Sequence, residues 1–302
     1  MDSLLYLAIP LFVFLLVVEW LSIRHRDQQG QAHLKGYEVR DTWTSLSLGL
    51  ANVVVSGIAR FAILAVYVWL YQFRVFDLPN AWWVWLLLFF AEDLAYYTYH
   101  RASHEVRFFW AAHVNHHSSR HYNLSTALRQ SWTTPLTGPI FWVPLVLIGF
   151  HPAMVAVVQA ASLIYQFWLH TELIGRLGPL EAVLKTPSHH RVHHGRNVEY
   201  LDRNYGGVLI VWDRLFGSFE PERAAADYGL TTNIETFRPL QVGFHEWIAL
   251  ARDIGRARGL RERLGLLLHP PGWSSDAATS HTARELRAEA EQAGWSERSA
   301  AV

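Results

Sequence analysis

A series of long apolar segments is the feature that most restricts how this chain can fold. A helix needs roughly 20 apolar residues to cross the hydrocarbon core of a bilayer. Residues 3–23, 47–71 and 81–99 approach or exceed this length, and two further apolar stretches, 133–150 and 152–170, are separated by a tight turn. Only 17% of the residues are charged, against ~25% in ordinary soluble domains. We therefore predict an all-α integral membrane helical bundle with about four to five spans or membrane-embedded helices.

Basic residues next to the first apolar segment indicate its orientation. Four lysines and arginines follow it between positions 24 and 40, whereas none precedes it. A secretory signal peptide shows the opposite order, so we expect a retained anchor with its C-terminal end in the cytoplasm. Following the spans in order then places His100 and His170 at the cytoplasmic surface and His151 on the other side. We expect a multi-pass protein with a cytoplasmic, histidine-rich helical cap, and we exclude His151 from the site.

Three prolines interrupt the fourth apolar stretch, and the segments after it are more polar. Pro135, Pro139 and Pro144 should kink residues 133–150, because proline cannot continue a helix normally. Residues 241–268 mix apolar side chains with several arginines, which fits either a helix on the membrane surface or a buried helix of the cap. The tail 271–302 is rich in Ala, Glu, Arg and Ser, and we predict that it is mobile.

The cysteine and charge content narrows the possible chemistry. The chain has no Cys, which excludes disulfides, iron–sulfur clusters and thiolate zinc sites. Its 26 basic and 26 acidic residues leave no net charge, so we expect no nucleic-acid partner. Of its 17 histidines, twelve lie between His100 and His194. Any bound metal must therefore be held by nitrogen and oxygen, and imidazole is the most abundant donor.

The histidines fall into four groups with helical spacing. An HxxxH pair at i and i+4 is followed by two HxxHH boxes, and residues with these spacings share one face of a helix. The third group is the single residue His170, and Gln166 lies one turn before it. The candidate ligands are His100, His104, His113, His116, His117, His170, His189, His190, His193 and His194. Ten imidazoles are too many for one ion, so we predict a dinuclear centre, in which His189 is either a ligand or an outer partner of the ligands.

Acidic residues near the histidines are candidates for orienting them. Glu92 and Asp93 lie inside an apolar segment, where an unpaired carboxylate is costly. Asp93 is seven residues before His100, so it can accept the distal N–H of a ligand imidazole. Pairing of either acid with a local arginine is the alternative. Glu172 is a similar case beside His170.

The donor set favours iron over zinc. Catalytic zinc sites usually keep three protein ligands, and soluble di-iron oxygenases use carboxylates that are missing here. An all-nitrogen dinuclear site at a membrane surface instead indicates iron that activates oxygen against a C–H bond. A site at the ends of membrane helices can admit a lipid chain from the bilayer.

Three segments strengthen this interpretation by resemblance. Residues 100–131, 165–181 and 186–222, which contain the HxxxH and HxxHH boxes, resemble the fatty acid hydroxylase/sterol desaturase superfamily, and more narrowly its alkylglycerol monooxygenase-like branch. The resemblance implies a membrane di-iron monooxygenase with two iron ions, O2 as co-substrate and a lipid substrate. It also implies an electron donor, either tetrahydrobiopterin or a redox protein. Some relatives carry a histidine where this chain has Gln166, and Arg129 and Gln130 are weak candidates for binding the cofactor or a headgroup.

The apolar segments, the resemblance and the composition together predict a division of the chain. We expect anchor helices in 1–75, a fatty acid hydroxylase-type catalytic domain in 76–235, a membrane-surface or cap helix in 236–270 and the tail in 271–302. A desaturase or a sterol- or carotenoid-modifying oxygenase with the same centre is the nearest alternative function. A metal transporter and a zinc lipid hydrolase are more remote alternatives.

Overall fold

Helices make up nearly all regular structure of the chain, as predicted. The computed structural model describes residues 2–30 and 34–293, and within them there is no β-strand, only two isolated bridges. The α-helices are α1 Asp2–Gln28, α2 Val39–Leu70, α3 Trp82–Glu105, α4 Arg107–Trp110, α5 Val114–His117, α6 Leu124–Ala127, α7 Thr134–Thr137, α8 Val143–Ile148, α9 Pro152–Phe167, α10 Pro187–His194, α11 Val211–Phe216, α12 Pro239–Arg256, α13 Leu260–Leu268 and α14 Ala283–Gln292. Short 3-10 helices cover Tyr71–Phe73, Pro139–Trp142, Gly178–Ala182, Val198–Tyr200 and Ala277–Thr279.

Two stretches are long and apolar enough to cross a membrane, Leu7–Gln28 and Val39–Phe73. Many of their apolar side chains remain exposed, including Ile58 at 71% and Phe61 at 75%, which fits contact with lipid. No other helix in the described part of the chain passes the same test of length and composition. The predicted third span corresponds to α3, which carries two buried acids in its middle. The larger number of spans stays a prediction.

The main apolar core holds α3 in place. α3 packs against α8 and α9, in a core whose buried side chains include Tyr67 of α2, Leu88, Trp142 and Val155. Each such side chain contributes about 1.5–3 kcal/mol when it is fully buried. The core therefore fixes the helix whose last two turns carry the first histidine pair.

Prolines break the first arm of the predicted apolar hairpin, as expected. Pro135, Pro139 and Pro144 stand in the first turns of α7, the 3-10 helix Pro139–Trp142 and α8. Proline is tolerated there because the first-turn N–H groups have no partner within the helix. The second arm, α9, is continuous and ends shortly before His170.

A buried carboxylate attaches α1 to the rest of the fold. Glu19 is buried and accepts a hydrogen bond from the backbone N–H of Leu124 at 2.7 Å. The hydroxyl groups of Tyr37 and Thr171 also donate to it. These donors satisfy an acid that would be costly in an apolar helix, and they hold α1 beside the segment that carries His170.

The amphipathic segment 241–268 forms two helices rather than one. α12 buries Val242 and Leu250 and leaves Leu240 and Ile248 exposed, and α13 follows after a break. The tail, predicted to be mobile, contains the helix α14 in its described part. Thr282 and Glu285 form a capping box at the start of that helix, which a reading based on composition alone overlooked. The boundaries of the four predicted regions stay predictions.

Candidate metal centre

The structure brings nine of the ten candidate histidines into two adjacent groups. Group A is His100, His104, His113, His117 and His193. Group B is His116, His170, His190 and His194. In each group, one ring nitrogen per residue lies within 4.8 Å of those of all other members. The rings of His117 and His194 stack at 4.3 Å, so the two groups are neighbours.

The nitrogens within each group point at one another. In group A, Nε2 of His113 lies 3.1 Å from Nε2 of both His100 and His117. In group B, Nε2 of His170 lies 3.2 Å from that of His116 and 2.9 Å from that of His190. Converging lone pairs of neutral imidazoles are what a bound transition metal needs.

Several of these nitrogens have no protein partner. Nε2 of His104, His193 and His194 is buried without a hydrogen bond among the described residues. Buried polar atoms in folded proteins are nearly always paired. The unpaired nitrogens and the all-nitrogen donor set therefore fit two metal ions, one in each group.

Each HxxHH box contributes to both groups. In the first box, the i and i+4 residues His113 and His117 belong to group A, and His116 belongs to group B. In the second box, the i and i+4 residues belong to group B, and His193 belongs to group A. A helix places i and i+4 on one face, which explains the pairing of His190 with His194 on α10, while His113 is the residue just before α5. The sequence predicted the shared face but not which ion each residue would serve.

One loop orients three imidazoles of group A, and sequence analysis missed it. Nδ1 of His100 lies 2.7 Å from the carbonyl oxygen of Tyr205, and Nδ1 of His193 lies 2.9 Å from that of Arg203. Nδ1 of His104 lies 3.3 Å from a carboxylate oxygen of Asp202. Such contacts fix the tautomer and leave Nε2 free for a metal. The closeness of these residues to the second HxxHH box was the only available signal.

Asp93 does not orient an imidazole, contrary to the prediction. Its carboxylate accepts hydrogen bonds from the backbone N–H groups of Val208 and Leu209 at 2.8 and 3.0 Å, and from Nε1 of Trp212 at 2.9 Å. The helical spacing from His100 was correct, but three donors from the 208–212 segment occupy the carboxylate. Asp93 thus attaches the segment 208–212, which follows the orienting loop, to α3.

The other predicted positioning residues have different partners. Glu92 accepts from Nε1 of Trp142 at 3.2 Å, and Glu172 accepts from the backbone N–H of Lys35 at 2.8 Å. Gln166 donates its side-chain amide to Ser162 at 3.0 Å. Its carbonyl oxygen lies 3.0 Å from Nδ1 of His170, so Gln166 orients a group B imidazole through its backbone.

His189 lies outside both groups. Its ring contacts Phe219 at a centroid distance of 5.5 Å, and its Nδ1 is buried without a partner. It precedes the second box on α10, and one step along a helix turns a side chain by about 100° away from its neighbour. The structure therefore does not bring His189 to the histidines that could share a metal.

The weak cofactor candidates form structural contacts. Arg129 is 1% exposed. Its guanidinium donates to the carbonyl oxygen of Asn115 at 3.0 Å and to the carboxylate of Asp41 at 3.2 Å. Gln130 donates to the carbonyl oxygen of Ala127 at 2.7 Å. Arg129 thus connects α2 to the first HxxHH box.

Burial keeps the imidazoles of group B neutral. It lowers the pKa of His116 to about 3 and lowers the pKa of His190 and His194 well below the ordinary value. Neighbouring charges, including that of Lys185, act in the same direction. Neutral imidazole is the form that binds metal, so the buried environment favours coordination.

These pKa shifts predict that acid destabilises the metal-free protein. The folded pKa values lie below the unfolded value near 6.5, so below about pH 6.5 the unfolded chain binds protons that the folded chain excludes. Stability should therefore fall as the pH is lowered from about 7.5 to about 5.5, by about 1.4 kcal/mol in total for each such imidazole. Thermal unfolding of the chelator-treated, metal-free protein in detergent, repeated across this pH range, measures the change in stability. A flat profile would contradict it, and His190→Gln should make the slope shallower.

Comparisons with known proteins agree with the site. Residues 85–218 match the family model described as fatty acid hydroxylase. An alkylglycerol monooxygenase of Homo sapiens is 42% identical over 275 residues, which are 88% of this chain and 59% of that protein. One of Danio rerio is 42% identical over 273 residues, with the same two shares. An ornithine lipid hydroxylase of Rhizobium tropici is 31% identical over 159 residues, 52% of this chain and 48% of that protein. No solved structure matches the chain significantly.

The segment that holds all nine grouped histidines therefore resembles the fatty acid hydroxylase family, as the histidine boxes predicted. The chain is similar to alkylglycerol monooxygenases over most of its own length, and it spans 59% of the length of the human and zebrafish proteins.

Proposed function

We propose that this chain is a membrane-bound di-iron monooxygenase that hydroxylates a lipid C–H bond, with an ether lipid as its substrate. The observation that carries the proposal is the pair of buried, all-imidazole groups within a fatty acid hydroxylase domain. The similarity to alkylglycerol monooxygenases supports the ether lipid.

The nine grouped histidines would hold two iron ions, which when bound would supply the reactivity toward O2. The protein's own contribution is geometric. The nine grouped imidazoles are buried or nearly so, which limits water near the reacting carbon. The segment Asp202–Tyr205 and Gln166 hold individual rings in orientation. No side chain needs to act as a nucleophile.

The membrane helices would bring the substrate to this centre. α1 and α2 expose apolar side chains along much of their length, and Glu19 links α1 to the chain beside His170. A lipid whose chain stays in the bilayer could therefore present a carbon to the histidines while its polar atoms remain near the headgroups. We place the catalytic face on the cytoplasmic side, where a reduced pterin or a redox protein could deliver electrons.

The proposed reaction balances as a monooxygenation. O2 takes two electrons and two protons from the donor system, one oxygen atom enters a C–H bond, and the other leaves as water. Hydroxylation of the carbon next to an ether oxygen gives a hemiacetal, which breaks the C–O bond to yield a fatty aldehyde and glycerol. The donor is oxidised by two electrons in each turnover.

The test uses vesicles that contain the iron-loaded protein, tetrahydrobiopterin and an alkylglycerol under 18O2. We expect 18O in the fatty aldehyde, measured by mass spectrometry, and no reaction of the matched acylglycerol ester under the same conditions. A substrate that loses two hydrogens without gaining oxygen would identify a desaturase instead. No oxygen-dependent change in either lipid would reject the proposed ether-lipid substrate.

A further inference from the structure

The two histidine groups differ in how their rings are supported. In group A, the loop Leu201–Gly206 contacts the distal nitrogen of three of the five members through Asp202, Arg203 and Tyr205. In group B, Nδ1 of His116 and His190 is buried without a hydrogen-bond partner among the described residues. The two groups therefore differ in the hydrogen-bond partners that the protein gives to their distal nitrogens.

The loop is fixed by a backbone that few residues adopt. Asp202 and Asn204 have φ angles of 54° and 57°, in the left-handed region where Asn and Asp are the best tolerated non-glycine residues. This conformation turns the carbonyl groups of Arg203 and Tyr205 toward the histidines on α10 and α3. A residue with a branched side chain would strain the backbone at either position.

Buried polar contacts hold the same loop from outside. The side-chain amide of Asn204 donates to the carbonyl oxygen of Glu220 at 2.7 Å and accepts from the N–H of Glu220 at 2.9 Å. Asp213 accepts from the N–H groups of Tyr205 and Gly206 at 2.7 Å each. Nζ of Lys185 donates to the carbonyl oxygen of Asn204 at 2.9 Å. Asn204, Asp213 and Lys185 are each at most 1% exposed, so the loop is braced inside the fold.

We propose that group A is a preorganised metal site that retains its ion more tightly than group B, and that Asp202 and Asn204 are its positioning residues. The proposal rests on the two-metal centre of the proposed function. A ligand ring that is already in its binding orientation loses less freedom when the metal binds. Loss of such an orienting partner typically lowers metal affinity about 10- to 100-fold. Group A also offers five nitrogens, against four in group B.

Release of metal to a chelator tests the proposal without any turnover. The protein is loaded with Fe2+ under anaerobic conditions, and the iron that remains bound is measured against time. We expect two phases, with one ion lost at least about 10-fold faster than the other. His190→Ala, in group B, should leave only the slow phase, and His193→Ala, in group A, should leave only the fast phase.

Variants of the loop then test the positioning role. Asp202→Gly keeps the left-handed backbone and removes the carboxylate, so the slow ion should leave about 10- to 100-fold faster while the fast phase is unchanged. Asp202→Asn keeps an oxygen acceptor in the same shape and should have a smaller effect. Asp77→Asn changes an exposed acid far along the chain and should change neither phase.

Each other outcome overturns the proposal. Loss of both ions in one phase, loss of the slow phase in His190→Ala, or unchanged release in Asp202→Gly would each do so. The proposed function fails differently. Two release phases without an oxygenated lipid would reject the reaction and keep the unequal sites, whereas an oxygenated product with a single phase would do the reverse.

Discussion

Replacement of His116 by alanine is expected to reduce lipid oxygenation more than about 100-fold, because loss of a ligand should exceed the 10- to 100-fold cost typical of its outer partners. His116 supplies one of only four nitrogens in group B, and its Nε2 lies 3.2 Å from that of His170. Iron content per chain should fall from two toward one, as measured by elemental analysis beside the product assay.

His121→Ala is the matched control, because it removes the same side chain five positions later. His121 lies outside both groups, and its Nδ1 contacts the carbonyl oxygen of Lys35 at 2.9 Å. Iron content and product should therefore stay near wild-type values. Full activity and two irons in His116→Ala would contradict the assignment of group B as a metal site.

Arg129→Met is expected to destabilise the protein by about 3–5 kcal/mol, because it leaves the buried carboxylate of Asp41 without its charged partner. The side chains of Arg129 and Asp41 are 1% and 3% exposed, so water cannot replace the lost contact. The carbonyl oxygen of Asn115 also loses the hydrogen bond that the guanidinium donates to it. Denaturation in detergent, followed by tryptophan fluorescence, measures the change.

The same substitution at a surface ion pair provides the comparison. Arg120 pairs with Glu235, and the two side chains are 51% and 77% exposed, so Arg120→Met should cost less than about 1 kcal/mol. Adding Asp41→Asn to Arg129→Met should recover part of the loss, because the stranded charge is removed. Equal destabilisation by the two Arg→Met variants would show that the buried ion pair contributes no more to stability than the exposed pair.

The helical fold could be predicted because it depends on local properties of the chain. Apolar length predicted α1 and α2, and the positions of Pro135, Pro139 and Pro144 predicted where the helical path breaks. Helix α14 was missed because its sequence is short and mostly polar. Its capping box was a local signal that could have indicated it.

The metal centre was predictable only in its local part. Spacing within each box placed His100 with His104 and His113 with His117, because helix geometry relates residues four apart. The assignment of each ring to group A or B depends on contacts across the fold, such as the one between His116 and His170. The same is true of Asp93, whose partners lie more than one hundred positions away in sequence. No periodicity encodes such contacts.

The division of each HxxHH box between the two groups has a consequence for how this sequence can change. Inserting or deleting one residue inside a box would move ring nitrogens of both centres at once, so neither could be lost or gained alone by such a change. Apart from the turn that carries Gln166 and His170, segments between the boxes face no such constraint, because they set the path of the chain and not the register of the rings. We therefore expect related genes to differ in length between the boxes and almost never within them.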